Sequence, residues 1–237
     1  MIRISAAFST ALVACGGPAA GPVAAPPAEP VAESGAASGP LPQVSQELGS
    51  ISEDAVDKNF DKLNGKIQAC FTAGLSRVEY LGGEMAVFLR IGVEGHVKYD
   101  YFRSSTVGDR ETEKCVLGVF ANADWPKPQG GEAEVRKTFT FDPPGDVRAP
   151  TAWNSDKIAA AVGKASDAIA KCKSGESESF KGAAYVVPDG KHGKVQAVGM
   201  GTPSKEGADK IDCLLGVVQG LELPSPGSYA AKVSFAL

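Results

Sequence analysis

Histidine is nearly missing from this sequence, which contains only His96 and His192. Both lie beside glycines in segments typical of hairpin turns, so we interpret them as solvated turn residues rather than acid–base groups or metal ligands. The sequence also lacks a G-x-S-x-G nucleophile elbow and a glycine-rich phosphate loop. It therefore predicts no catalytic residue, no cofactor and no metal site.

Paired carboxylates could still supply acid–base chemistry, and the run from Asp109 to Glu113 places three acidic residues close together. The same pattern is typical of the exposed first turn of a helix, where acidic side chains interact favourably with the helix dipole. We prefer this second interpretation.

An excess of positive charge is absent as well. The chain has 24 Lys and Arg against 28 Asp and Glu, for a formal net charge of −4. Proteins that bind nucleic acid need a basic surface to neutralise phosphates. We therefore expect no nucleic-acid partner.

The apolar run near the N-terminus, Ile4–Ala14, has only 11 residues, which is too short to span a bilayer. It follows Arg3 and ends in Leu12-Val13-Ala14-Cys15, a sequence that resembles a bacterial lipobox. The resemblance implies that residues 1–14 are a lipoprotein signal peptide and that Cys15 carries a lipid. An ordinary secretory signal with an incidental cysteine is the alternative.

The segment that follows has low complexity. Of the 33 residues from 16 to 48, 23 are Ala, Gly, Pro or Ser. Such a segment buries too little apolar surface to offset its chain entropy. We predict that residues 15–48 form a disordered tether, and that the protein is a membrane-anchored lipoprotein of the cell envelope. We prefer the outer membrane, facing the periplasm or the cell surface.

Beyond residue 48, one sequence segment occurs twice in closely similar form. CVLGVFANADWPKP begins at Cys115, and CLLGVVQGLELPSP begins at Cys213. Upstream of each of these segments, apolar residues recur at spacings of three and four, as on one face of a helix. The two series are Val56, Phe60, Leu63, Ile67 and Cys70, and Ile158, Val162, Ala165, Ile169 and Cys172.

Each series is followed by two segments of strand-like composition separated by a turn, then by a second helix and a last strand. We expect the second helices to begin near Ser104-Ser105-Thr106 and Thr202-Pro203-Ser204, and the last strands to span 134–141 and 230–237.

The predicted fold class is therefore α+β, with two tandem copies of a helix–strand–strand–helix–strand unit. Each unit would be a small three-stranded antiparallel sheet packed by two helices. The predicted domains are residues 49–142 and 154–237, joined by a linker over residues 143–153 that contains Pro143-Pro144-Gly145.

This element order resembles the TonB-like C-terminal domain of the AgmX/PglI type. The first copy carries the resemblance through Cys70, Ser104-Ser105-Thr106, Cys115 and Trp125-Pro126-Lys127-Pro128; in the second copy Leu223 replaces the tryptophan. The resemblance implies a non-enzymatic module for envelope contacts that adds a partner strand at the last strand of each copy. The candidate partner-binding residues are Trp125, Val135, Phe139, Val233 and Phe235. Trp125 could instead cover the end of a helix.

Four cysteines remain if Cys15 carries a lipid, two in each copy at equivalent places. Outside the reducing cytosol we expect disulfides, and we pair Cys70 with Cys115 and Cys172 with Cys213. A metal site needs ligands at shorter spacing. Unpaired buried thiols are the other alternative.

The preferred function is thus an adaptor that binds an envelope protein. One alternative is a structural component that associates with copies of itself. The other is an envelope hydrolase whose site the sequence does not reveal.

The lipobox generates the first test. Cys15→Ser should leave the folded residues intact and move the protein from the membrane fraction to the soluble fraction, because it removes the sulfur that would carry the lipid. Cell fractionation with fatty-acid labelling measures this. If the variant stays in the membrane fraction, Cys15 is not the anchor.

Overall fold

The structure is a computed structural model that describes residues 48–175 and 178–237. The predicted signal peptide, Cys15 and nearly the whole predicted tether lie outside these residues. No helix within the two described ranges is long and apolar enough to cross a membrane. All described residues belong to one compact unit.

Residues 48–142, the first half, contain two helices and a three-stranded antiparallel sheet. The elements are α1 (Glu53–Leu75), β1 (Gly83–Ile91), β2 (Val97–Ser105), α2 (Arg110–Ala121) and β3 (Ala133–Phe141). The predicted apolar series is the buried face of α1, and the Ser52 side chain caps that helix by accepting a hydrogen bond from the Ala55 N–H. The strand order β2-β1-β3 places β3 at an edge.

The predicted start of α2 was wrong. Ser104 and Ser105 belong to β2, and Asp109 is the N-cap residue of α2. The Asp109 carboxylate accepts hydrogen bonds from the backbone N–H and the hydroxyl of Thr112, at 3.2 and 2.6 Å. A carboxylate therefore caps this helix in place of the expected hydroxyls.

Residues 143–237 form the second half, and its described residues contain four helices and a mixed five-stranded sheet. The elements are β4 (Thr151–Trp153), α3 (Asp156–Lys164), α4 (Ser166–Lys173), β5 (Lys181–Asp189), β6 (His192–Gly201), α5 (Lys205–Ala208), α6 (Ile211–Gln219), β7 (Leu223–Pro224) and β8 (Ala231–Ala236). The strand order is β4-β8-β5-β6-β7, and β4 pairs with β8 in parallel. The predicted three strands are thus extended by a short strand at each edge, and the predicted first helix is interrupted at Ala165.

Both expected disulfides are present. Cys70–Cys115 joins α1 to α2, and Cys172–Cys213 joins α4 to α6, with Cα–Cα distances of 5.7 and 5.6 Å. Their sequence separations are 45 and 41 residues, and closing these loops limits the freedom of the unfolded chain.

The two halves share a hydrophobic core. The cluster around α1 and β1 also contains Tyr185, Ala197 and Ala230 from the second half. Tyr185 is fully buried, and its hydroxyl donates to the Gly82 carbonyl at 3.2 Å. A second cluster lies within the second half, between the helices and the opposite face of the five-stranded sheet. The β5–β6 hairpin is therefore covered on both faces.

The shared core predicts cooperative unfolding. Replacing Cys70 and Cys115 with serine should lower the free energy of unfolding by about 4 kcal/mol, and both halves should still unfold together. The two tryptophans, Trp125 and Trp153, lie one in each half. Urea denaturation of Trp125→Phe and Trp153→Phe backgrounds follows each half separately by fluorescence. Two separate midpoints would show that the halves are independent.

Candidate partner-binding edge

β3 has a paired side and an open side. It is hydrogen-bonded to β1 over its whole length, from Gly83↔Phe141 to Ile91↔Ala133, and no other described strand pairs with it. A sheet edge of nine residues leaves a row of backbone donors and acceptors that a further strand could use.

The register shows which residues of β3 point their backbone groups outward. The Thr106 N–H donates to the Glu84 carbonyl at 2.8 Å, so the backbone groups of Glu84 are directed toward β2. Successive residues of an antiparallel strand alternate in this respect. Where the backbone groups of a β1 residue point toward β2, those of the β3 residue opposite it point away from β1, to the open side. The β3 residues in these positions are Glu134, Arg136, Thr138 and Thr140.

A groove of about 450 Å³ runs along the open side of β3, between this strand and the start of α1. Its walls include the apolar side chains of Val56 and Phe60 from α1 and Val135 from β3, together with the backbone of residues 49–51. This volume lies within the range of about 300–1,000 Å³ that is common for ligand pockets. An added strand would therefore find backbone partners, with a groove of charged and apolar side chains beside residues 133–137.

Charged side chains border the groove. The Lys137 ammonium lies 2.7 Å from the Asp57 carboxylate and 5.5 Å from the centre of the Phe60 ring. On the opposite face of the sheet, Arg136 pairs with Glu134 at 3.0 Å. Charges along an edge strand oppose unspecific pairing of sheets, so this edge is protected against aggregation while its backbone stays accessible.

The five candidate partner-binding residues are mostly buried. Val135 lines the groove with 6% of its surface exposed, and Phe139 is half-buried next to Phe60 and Phe120. Trp125 is only 4% exposed, and its indole N–H donates to the Phe120 carbonyl at 3.1 Å. Trp125 thus covers the end of α2, so contact with a partner at β3 would fall on the backbone and the groove rather than on this side chain.

In the second half the corresponding strand is β8. Val233 and Phe235 are buried in the second core. The side of β8 that faces away from β5 carries β4, with Thr151, Ala152 and Trp153 opposite Ala231, Lys232 and Val233. The two last strands therefore differ within the described residues, because the outer side of β3 has no strand beside it and that of β8 has β4.

Two acidic residues that we expected to be exposed are buried where the halves meet. Asp109 is 4% exposed, and its carboxylate lies 2.5 Å from the Arg77 guanidinium. Glu113 has no exposed surface; one carboxylate oxygen accepts from the Met200 N–H at 3.3 Å, and the other has no hydrogen-bond partner within the described residues. Sequence reasoning missed this burial because it comes from β6, which packs on α2 from the second half.

Burial raises the pKa of Glu113 to about 8, because the apolar surroundings disfavour the charged form more than Arg110 favours it. Burial also raises the pKa of Asp100 to about 6. A side chain without exposed surface cannot contact a substrate in this conformation, so Glu113 affects stability rather than chemistry. Residues 48–175 and 178–237 contain no group of three His, Cys, Asp or Glu that could hold a metal ion.

Glu113 should make stability depend on pH. Its folded-state pKa lies above the value of about 4.5 expected in the unfolded chain, so the folded state binds the extra proton and loses stability as pH rises toward 8. Between about pH 6 and 7.5 the free energy of unfolding should fall by about 2 kcal/mol. Glu113→Gln should largely remove this slope, as measured by urea denaturation at each pH.

Glu111→Gln is the matched control, because Glu111 lies exposed on the same helix and should leave the slope unchanged. A Glu113→Gln variant that keeps the wild-type slope would mean that Glu113 is already ionised in the folded protein.

Compared with protein-family models, with curated proteins and with solved structures, the chain matches none. Its most distinctive feature is the open edge of β3 with the adjacent groove.

Proposed function

We propose that this protein is a non-enzymatic lipoprotein of the cell envelope that binds a partner protein by strand addition at β3. The observation that carries the proposal is the row of outward backbone groups from Glu134 to Thr140, with a groove beside residues 133–137. A partner segment in extended conformation would satisfy these groups and lie over the groove between β3 and the start of α1. Main-chain hydrogen bonds would supply affinity, and side chains in the groove would supply specificity.

The tandem organisation is part of the proposal. We infer that residues 49–142 and 154–237 are two copies of a TonB-like unit. Three features support this. The segments that begin at Cys115 and Cys213 are similar in sequence, both halves have a helix, a hairpin, a helix and a last strand in that order, and a disulfide joins helices within each half. The lipid on Cys15 and the tether of residues 15–48 would hold both copies near a membrane of the envelope.

The two other functions have less support. Pairing of two β3 strands about their midpoint, Lys137, would bring the Arg136 and Lys137 side chains of both copies together, and like charges opposite one another destabilise a strand pair. This disfavours self-association through β3. A hydrolase would need an accessible acid–base pair, and the most strongly perturbed carboxylate, that of Glu113, is enclosed.

Strand addition predicts crosslinking at the edge of β3. A photo-crosslinking amino acid at Thr138, which is exposed on β3, should capture an envelope protein in intact cells. Thr138→Pro should reduce capture of the same protein at least about fivefold, because proline removes an outward N–H while the bonds to β1 remain. Because proline occupies position 138 in this variant, its photo-crosslinking amino acid is placed at Arg136. The captured protein is identified by mass spectrometry.

Thr138→Val is the matched control, since it keeps the N–H and the β-branched shape and should preserve capture. A crosslinker at Lys171, exposed on α4 in the second half, should not capture the same protein. If only the protein itself is captured at β3, the self-association alternative replaces the adaptor. If Thr138→Pro binds as well as the native protein, strand addition at β3 is wrong.

A further inference from the structure

The second half shows an extended segment already seated on a last strand. β4 runs parallel to β8, and the Thr151 N–H donates to the Ala230 carbonyl at 2.9 Å. Along β8, the backbone N–H and C=O groups of successive residues point to opposite sides. Those of Ala230 and Lys232 point toward β4, and those of Val233 point toward β5. β4 therefore occupies on β8 the side that is open on β3.

The side chain of Trp153 fixes β4 in place. It is half-buried and packs against the second core, at the side of β8 that faces the helices. Thr151 and Ala152 are exposed. β4 thus reads as a hydroxyl residue, any residue and an aromatic residue. Only the aromatic side chain, that of Trp153, packs between the helices and the edge of the five-stranded sheet.

In the first half, no described strand lies at the matching place. There the segment before α1 leaves the sheet early: the Gly49 N–H donates to the Glu132 carbonyl, and Ser50 exchanges hydrogen bonds with Gln129, at 2.8 and 2.9 Å. From residue 48 onward these contacts reach no further along the chain than Glu132, and the groove lined by Val56, Phe60 and Val135 lies beside them. In the second half the segment before α3 is β4 itself.

β4 is held by few contacts. It has three residues, and the chain before it is tied to the second half by a hydrogen bond from the Tyr229 hydroxyl to the Arg148 carbonyl, at 2.8 Å, and by the Arg148 guanidinium above the Tyr229 ring. Short, exposed elements of this kind open at low free energy without global unfolding. The edge of β8 can therefore be uncovered while the rest of the sheet remains.

We propose that the edge of β8 is a second peptide-binding site, closed in this conformation by β4 as an internal ligand with Trp153 as its anchor. The ligand class is an extended peptide that runs parallel to β8 and carries an aromatic residue two positions after a small or hydroxyl residue. Use of this site by an external partner rests on the function proposed for β3. The site itself is defined by the seated β4.

Hydrogen exchange of the full-length protein tests whether β4 is a separable occupant. In Trp153→Ala, the amide of Lys232 should exchange at least about tenfold faster than in the native protein, because β4 detaches more often. The amide of Val233, which faces β5, should keep its protection. Ala152→Ser is the control variant, since the Ala152 side chain is exposed and should not affect either amide.

A peptide in trans then tests the binding site. The probe is the heptapeptide Ala-Pro-Thr-Ala-Trp-Asn-Ser, identical to residues 149–155. Added to Trp153→Ala at about 1 mM, a concentration suited to weak binding, it should restore slow exchange at Lys232. The same peptide with alanine in place of tryptophan should not.

Thr151→Pro is the second variant, because it removes the N–H that bonds to Ala230 and leaves Trp153 unchanged. If both variants also lose protection at Val233, β4 is an integral part of the sheet and the proposal is wrong. It is equally wrong if Lys232 stays protected in both variants, or if the heptapeptide restores nothing. These outcomes do not depend on crosslinking at β3, so the two proposals fail separately.

Discussion

The backbone of a sheet edge must find hydrogen-bond partners in water or in protein, and this constraint organises the molecule. The β5–β6 hairpin is covered on one face by its own helices and on the other by the first half, so little of its surface remains for a partner. β3 is an edge strand, and no strand of the described residues pairs with its outer side, whereas β8 has β4 on its outer side. The functional proposals follow from this difference.

The interface between the halves depends on a few buried polar groups. The buried Tyr185 hydroxyl bonds to the backbone of Gly82, and at the surface the Arg110 guanidinium reaches the exposed Asp212 at 2.8 Å. Glu113 accepts from β6 at Met200. A carboxylate in this position is costly when ionised and acceptable when protonated, so Glu113 should favour the interface in mildly acidic conditions. Each disulfide holds the helices within its own half, whereas these contacts hold the halves together.

Much of the fold follows from local pattern. The series from Val56 to Cys70 predicted the buried face of α1, and the paired positions of the cysteines predicted both disulfides, because helical periodicity and chain position are properties of the sequence. β4 was missed within the predicted linker, since three residues are too few to show a strand pattern. The burial of Asp109 and Glu113 was also missed, because it arises from packing between segments almost 90 residues apart. The open edge of β3 required the register, which composition does not provide.

The central claim is that one edge is open and the other closed, and amide hydrogen exchange of the native protein measures this most directly. The outward amides of Arg136 and Thr138 on β3 should exchange at least about tenfold faster than that of Lys232 on β8, because only the latter has a strand beside it. Equal protection at the three amides would contradict the account, since it would mean that the edge of β3 is also covered.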